Sequence, residues 1–489
     1  MTTSLVSYRS PSADVPRLET KAWRDAVSAR LKAGSRPVTL YGARSSSEIL
    51  VTAVLQTEAR SLDVLRTVVT AERGYHSLTS EFLALHAFER ELHEQYGVRI
   101  GGHPWLKPIR FEHRDLAAMD AFPFYRIDGK EVHEVAVGPI HAGVIEPGAF
   151  RFMCLGEKVE HLEIHLGYQH RGVESLLLRG DPRRLAPLVE TVAGDTSVAH
   201  TWAYSAAVEG LASVDIEVGV EAARGVALEL ERVAMHLTGL SGLSADVGFL
   251  QGASTYGRLR TTAINATMRL CGSRFGRGAL RPGGTGMSLD ARGLQDLRGS
   301  LELLKTDLAL INDCFLSAVT VQHRLRGVGV LPEATARELG VVGMAARSSG
   351  IPLDQRSSSR GIYAALPVEA RVETSGDCWA RARLRISELD GSLAWLGQAL
   401  DRFPSWTPRR ASVGALAPSE LSITVAEGWR GEVVHCIETD SSGGLAHYKV
   451  QDPSLRNWLG LAIAVRGDEI SDFPICNKSF DLSYCGNDL

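Results

Sequence analysis

No CxxC pair occurs anywhere in the chain. Its 7 cysteines, Cys154, Cys271, Cys314, Cys378, Cys436, Cys476 and Cys485, are odd in number and scattered over 489 residues. Iron–sulfur and structural zinc sites draw on clustered thiolates, and disulfide scaffolds on dense, even sets, so neither is expected. Small buried hydrophobes in a reducing cytoplasm fit this usage. No apolar run reaches the ~18 residues of a membrane-spanning helix, and no basic stretch followed by an apolar one marks a signal peptide. Blocks of like charge are missing too. Lys+Arg 53 against Asp+Glu 57 gives a net charge of -4, with no footprint for nucleic acid. No GxGxxG follows a strand-like run, so dinucleotide binding by this chain is not expected.

What is present is a chain 44% hydrophobic, long enough to bury a large core in two or more domains. RPVTLY (Arg36–Tyr41) and ILVTAVL (Ile49–Leu55) are short and β-branched, as strands are. Ser80–Tyr96 brings Phe82, Leu85, Phe88 and Leu92 round at helical spacing, with Ser80 as N-cap and Gly97 as the stop. Val135–Val137, Phe150–Leu155 and Val159–Leu166 predict further strands. Helical periodicity dominates from Asp181 to about Thr320, clearest over Val220–Leu240 and Leu301–Val319. The expected fold class is α+β. A small N-terminal module, residues 1–120, precedes a larger and mainly helical domain with peripheral strands, residues 121–489.

Several residues carry chemistry on their own terms. His161, Glu163 and His165 share one strand face, where two imidazoles and a carboxylate could bind a divalent metal, although a plain polar face explains them as well. His200 and Tyr204 stand four apart, on one face of a helix. A packed tyrosine with a satisfied hydroxyl is the alternative for Tyr204. Glu174 suits a proton relay if it lies in a desolvated cleft, or is a helix-end carboxylate held by the dipole. His141 follows Pro139 in a turn, where a lone histidine can simply be solvated, and His103 and Glu91 fit a capped, solvated helix end.

Two stretches point further. TVAGDTSVAHTWAYSAAVE (Thr191–Glu209) and DFPICNKSFDLSYCGNDL (from Asp472) resemble the two ligand-bearing segments of NiFe hydrogenase large subunits. GPIHAGVIEPGAFRF, from Gly138, resembles the opening of the fold that group 4 NiFe hydrogenases share with the 49-kDa subunit of respiratory complex I. HRGVE (170–174), ELERVAMHL (229–237), RGVGVLPEATARELG (326–340) and RSSGIPLDQR (347–356) match further motifs of that fold. Upstream, HAFERELHEQYGVRIGGHPWLKPIRF resembles the 30-kDa subunit signature through Phe88, Glu89, Arg90, Glu91, Tyr96, Gly97, Gly102, His103 and Pro104. Such a module is fused to the large subunit in hydrogenases of the formate hydrogenlyase type. The resemblance runs from about residue 80 to the last.

The resemblance places the four metal-ligand positions at Ala193, Thr196, Ser483 and Gly486. Nickel in that fold needs soft anionic sulfur, which none of these residues offers. Hydrogenase activity is therefore not expected, and the small replacements imply a cavity where the metals would sit. The resemblance implies catalytic roles for Glu174, His200 and Tyr204, and a quinone cavity lined by His141, Arg347, Asp354 and Asp481. Arg347 and Asp354 would form a buried ion pair. It further implies no cofactor held by this chain, a quinone as candidate ligand, a 4Fe–4S cluster in a partner, and NAD only through partner subunits. The implied partners are an iron–sulfur small subunit of the complex I 20-kDa type and membrane antiporter-like or anchor subunits. The chain would lie in the cytoplasm, peripheral on the inner face of the cell membrane. The function implied is the large subunit of a respiratory oxidoreductase complex, coupling electrons to quinone or protons without a NiFe centre. A non-catalytic coupling subunit is the alternative, and a hydrogen-evolving hydrogenase ranks last.

Overall fold

The computed structural model describes residues 5–45, 47–58, 60–112, 123–141 and 145–489. In the N-terminal part, β2 (Arg36–Ser45), β3 (Glu48–Glu58) and β4 (Ser61–Val69) form an antiparallel meander. Helix α1 (Thr20–Lys32) packs on β4 and α2 (His86–Tyr96) on β2. Trp23, Leu40, Val51, Phe88 and Leu92 meet between them. The close approach of α2 depends on Gly42, since a Cβ there would lie 2.6 Å from Leu92 Cδ1. The strands and the Gly97 stop, at φ 68, match the sequence pattern. The helix start differs: Leu83–Leu85 is a 3-10 turn and Ser80 caps nothing. Glu89, from inside the helix, instead accepts the N–H groups of Leu78 at 2.9 Å and Thr79 at 3.2 Å.

Next come β5 (Val132–Val137), β6 (Ala149–Leu155) and β7 (Lys158–His165), a second antiparallel meander. The centre of the molecule is helical: α3 (Ser197–Leu211), α4 (Val218–Asp246), α5 (Leu250–Cys271), α6 (Ala291–Ser317) and α7 (Cys378–Arg402). Gly210 is the one residue of α3 that is not buried, so the polar side chains of the helix, among them His200 and Glu209, lie inside the protein. Strand β1 (Val6–Pro11), first in the chain, pairs with β8 (Glu420–Glu427) in a sheet completed by β9 (Glu432–Thr439) and β10 (Leu445–Gln451). Strand β9 is buried on both faces, between α3 and the N-terminal meander. Helices α8 (Ser454–Ala464), α9 (Phe473–Phe480) and α10 (Tyr484–Asp488) carry the last residues back into the core. Among the described residues no helix is long and apolar enough to cross a membrane.

Candidate functional site

The segment before α3 holds Ala193, Asp195 and Thr196. Thr196 is the N-cap residue by position, yet its side chain caps nothing; its hydroxyl donates to Asp195 Oδ1 at 3.2 Å. The cap comes from α4: Glu231 accepts the N–H of Val198 at 2.7 Å and of Ala199 at 3.4 Å. Burial pushes the Glu231 carboxyl up to about 8, with Asp195 adding to the shift and the Val198 N–H opposing it. Arg430, in the turn between β8 and β9, donates through both terminal nitrogens to Asp195, at 2.6 Å each, and to Thr196 Oγ1 at 3.1 Å. Its Nε donates to the Asp481 carbonyl, and its guanidinium stacks 3.9 Å from the Trp429 ring centroid. Burial works against the charge on Arg430, but Asp195, Asp481 and Asp452 outweigh it.

The second segment is built differently. Ser483 is the N-cap of α10, its Oγ accepting the Gly486 N–H at 2.9 Å. A Cβ on Gly486 would lie 2.6 Å from Asp452 Cγ, so a carboxylate stands where a ligand side chain would enter. Asp452 Oδ2 meets His200 Nε2 at 3.2 Å, and Oδ1 accepts the Ser454 N–H at 2.8 Å. The path continues from His200 Nδ1 to His435 Nε2 at 3.1 Å and from His435 Nδ1 to the Tyr448 hydroxyl at 2.9 Å. His435 lies opposite Val450 in the β9–β10 ladder, which makes Tyr448 its diagonal neighbour on the same face. All four side chains are buried. Burial opposes ionisation of Asp452, but His200 and Arg430 hold its carboxyl below the usual range. Burial, together with His200, drives His435 well down, and burial raises Tyr448. With Tyr448 donating to His435, His435 to His200 and His200 to Asp452, every link is satisfied. Imidazoles in series can pass a proton along such a row by exchanging tautomers.

These surroundings do not fit a NiFe centre. Ala193 and Gly486 have no ligand atom. Thr196 is engaged by Asp195 and Arg430, and Ser483 caps a helix. The space implied as an open cavity at the vacated positions is occupied at Gly486 by Asp452 and at Thr196 by the Arg430–Asp195 pair. The nearby Cys485 thiol is pushed up to about 12, by burial and then by Glu146, so a thiolate is disfavoured there. Arg171 of HRGVE joins the two segments, donating to the carbonyls of Thr191 (2.6 Å), Val192 (3.2 Å) and Cys485 (3.1 Å).

The remaining residues singled out from sequence divide. Tyr204 lies on α3 near His200, yet its hydroxyl donates to the Pro182 carbonyl at 2.6 Å and accepts from Leu185 N at 3.0 Å. Glu174 accepts from Lys449 Nζ at 2.9 Å and Val450 N at 3.0 Å. Lys449 also meets Glu91 at 2.6 Å, and Glu91 pairs with Arg110. Glu91 is thus no solvated helix end. It is buried where the N-terminal part meets β10, and Lys449 and Arg110 outweigh burial to hold it down at about 2. His141 packs against Phe150 and Tyr484, and its buried Nε2 has no hydrogen-bond partner among the described residues. Arg347 and Asp354 form the expected buried ion pair, at 3.9 Å, and each has closer partners as well. Arg347 bonds Glu388 at 2.8 Å and Glu427 at 2.7 Å, while Asp354 takes Arg356 at 3.0 and 2.6 Å. Asp481 ends α9 at φ 57, and Lys478, Arg385 and Arg430 hold it down at about 2 against burial. The HLEIH side chains do not converge: Glu163 pairs with Lys107 at 2.9 Å, His161 meets Arg466 at 3.1 Å, and His165 packs against Phe111 and Phe124. Among the described residues no group of three or more His, Cys, Asp or Glu is placed to hold a metal ion.

Sequence reading missed Asp195, Asp452, Arg430, His435 and Tyr448. Asp195 carried a signal, an acid between two vacated ligand positions.

Residues 30–122 match the family described as the 30 Kd subunit of respiratory-chain NADH dehydrogenase, and residues 246–415 the family of its 49 Kd subunit. Formate hydrogenlyase subunit 5 of Escherichia coli is 28% identical over 437 residues, covering 85% of this chain and 77% of that protein. The membrane-bound hydrogenase subunit alpha of Pyrococcus furiosus is 29% identical, covering 71% and 85%. An NADH-quinone oxidoreductase subunit of Herpetosiphon aurantiacus is 27% identical, covering 71% and 96%. A solved chain of the membrane-bound sulfane sulfur reductase, an archaeal respiratory membrane complex, superposes with a TM-score of 0.69 at 24% identity. It covers 75% of this chain and 100% of that one, a likeness of fold.

Proposed function

From a chain that belongs to the 30-kDa and 49-kDa subunit families of the complex I and group 4 hydrogenase group, fused in one polypeptide, we propose the following function. The protein is the large subunit of a membrane-associated respiratory oxidoreductase, and its former metal site serves proton-coupled electron transfer. The observation that carries this reading is the buried row Asp452–His200–His435–Tyr448, whose Asp452 end lies against Gly486, a position the resemblance implies for a ligand. Electrons would come from a 4Fe–4S cluster in an iron–sulfur small subunit, and anchor subunits would hold the assembly on the inner face of the membrane. A reduced acceptor gains basicity and takes up protons, and the row can deliver one while Arg430 stabilises negative charge. A quinone is the acceptor that fits best, with His141 Nε2, unpartnered among the described residues, placed to bond a carbonyl oxygen. Any NAD chemistry would lie in other subunits.

Asp452→Asn and His435→Gln in the purified complex test this reading. Quinone-dependent electron transfer is expected to fall by about 10²–10⁴-fold, the usual worth of a positioned proton donor, with the iron–sulfur spectrum intact. Unchanged rates in both variants would overturn it. Stoichiometric nickel in the wild type would overturn the metal-free part. A coupling subunit without chemistry of its own is the second reading. It is supported by Tyr204 and Glu174, whose polar atoms are committed to backbone and Lys449.

A further inference from the structure

Two buried thiols lie together outside the site. Cys378 opens α7, and Cys476 sits within α9, whose end carries Asp481 and leads into the second vacated segment. The two thiols are close enough for each to shift the other's proton affinity. Arg381 reaches Cys378 Sγ at 3.5 Å with one terminal nitrogen, while its Nε donates to Ser479 Oγ at 2.7 Å. Over the pair passes the loop 326–330, in which Arg326, Gly327 and Val330 are exposed and Gly329 is buried. A Cβ on Gly329 would lie 2.6 Å from Cys476 Sγ and 3.3 Å from Cys378 Sγ, so one point of the loop touches both sulfurs. Bonds tether the loop along its length: Gly327 N to Asp377 Oδ2 at 2.9 Å, Cys378 N to Val328 O at 2.9 Å, Arg381 to Gly329 O at 2.8 Å, and Gly329 N to Asp468 Oδ2 at 2.6 Å. The buried Gly329 thus covers both thiols from a loop whose neighbouring residues Arg326, Gly327 and Val330 are exposed.

Burial raises thiol pKa values, but the Cys476 thiol, Arg381 and Ser479 together hold Cys378 down at about 7. Cys476, facing that sulfur, is pushed up by it and by burial. One thiol is thus poised to attack and the other to follow.

We propose that Cys378 and Cys476 form a reversible dithiol–disulfide couple that ties α9 to α7 when oxidised. The oxidant class is a low-molecular-weight disulfide. The Cys378 thiolate attacks one of its sulfurs, that S–S bond breaks, and one thiolate leaves with the electron pair. Cys476 then gives up its proton and attacks the Cys378 sulfur, releasing the second thiol. Two protein thiols are oxidised to one disulfide, and one small disulfide is reduced to two thiols. The bond would fix α9, whose Ser479 carbonyl takes Arg385 and whose Asp481 carbonyl takes Arg430, so the redox state of the pair reaches the vacated site through main chain.

The test treats the full chain with oxidised glutathione under native conditions. Free thiols are then alkylated after unfolding, and peptides are mapped by mass spectrometry. The wild type is expected to yield the peptide of Cys378 linked to that of Cys476. Cys476→Ser, or Cys476→Ala if serine does not fold, is expected to stop at a glutathione adduct on Cys378. The proposal is overturned if both wild-type thiols stay free while exposed Cys314 is modified. It is equally overturned if the wild type accumulates the same unresolved adduct as the variant.

Discussion

Two polar networks are buried in the same domain and differ in what their donors can do. One joins α4, α7 and the segment around residues 347–356: Arg347 with Glu388 and Glu427, Arg356 with Asp354 and Glu229, and His236 with Glu388. The other is the row Asp452–His200–His435–Tyr448 between α3 and the β9–β10 ladder. Both exclude water. A guanidinium keeps its proton at any physiological pH, so Arg347 and Arg356 are fixed positive charges that, with Glu427 at the end of β8, lock four segments together. Imidazoles and a phenol exchange protons, so the second can carry them. Depth of burial does not tell a structural network from a functional one; the proton chemistry of its donors does.

The largest effect expected is on the fixed network. Arg347→Ala leaves Glu388 and Glu427 buried without their shared cation, at a cost of roughly 3–5 kcal/mol in chemical denaturation. An unfolding midpoint equal to wild type would mean that the network does not lock the fold. Next is the boundary of the relay. Gly486→Cys, which restores a ligand residue, should lose about 1–3 kcal/mol, because its Cβ meets the Asp452 carboxylate, and Asp452→Ala in the same chain should recover most of it. If the double variant is no more stable than the single one, Asp452 does not occupy that space.

A pH scan sharpens the comparison at Glu231, which belongs to neither network. Its folded pKa, about 8, is raised above the ordinary carboxyl value, so the native state holds a proton that the unfolded chain has lost in between. Its contribution to stability is therefore full at low pH and falls as pH rises from roughly 4.5 to 8, by up to about 1.4 kcal/mol per pH unit. Glu231→Gln should flatten that decline, and identical slopes in the two proteins would refute the assignment. The smallest effect is expected for Tyr204→Phe. Losing the bonds to Pro182 and Leu185 should cost about 0.5–1.5 kcal/mol and leave electron transfer at the wild-type rate. A collapse in rate would place Tyr204 in the chemistry after all.

The strands at Arg36–Ser45 and Glu48–Glu58 and the Gly97 stop were legible because side-chain pattern and backbone preference are local. The residues at the ligand positions that the resemblance implies were legible because motif spacing is local too. The row that replaces them was not. Strand β9 is buried on both faces and so shows no alternation, and the pairing of His435 with Tyr448 exists only once the register of β9 against β10 is set. Arg430 lies in a turn whose sequence says nothing about which carboxylate it will meet. The start of α2 was misread because Glu89 satisfies the preceding turn from inside the helix, a contact that no N-cap pattern encodes.

By itself the sequence determined that Ala193, Thr196, Ser483 and Gly486, the positions the resemblance assigns to metal ligands, carry no thiolate, the donor that nickel needs. It also determined the elements that frame the gap. What stands in the gap was decided only by the tertiary structure, because His200 and Asp452 are 252 positions apart and His200 and His435 235 apart. Residues so distant meet through packing alone, and there burial and neighbouring charge, which no single segment carries, set which of them hold a proton.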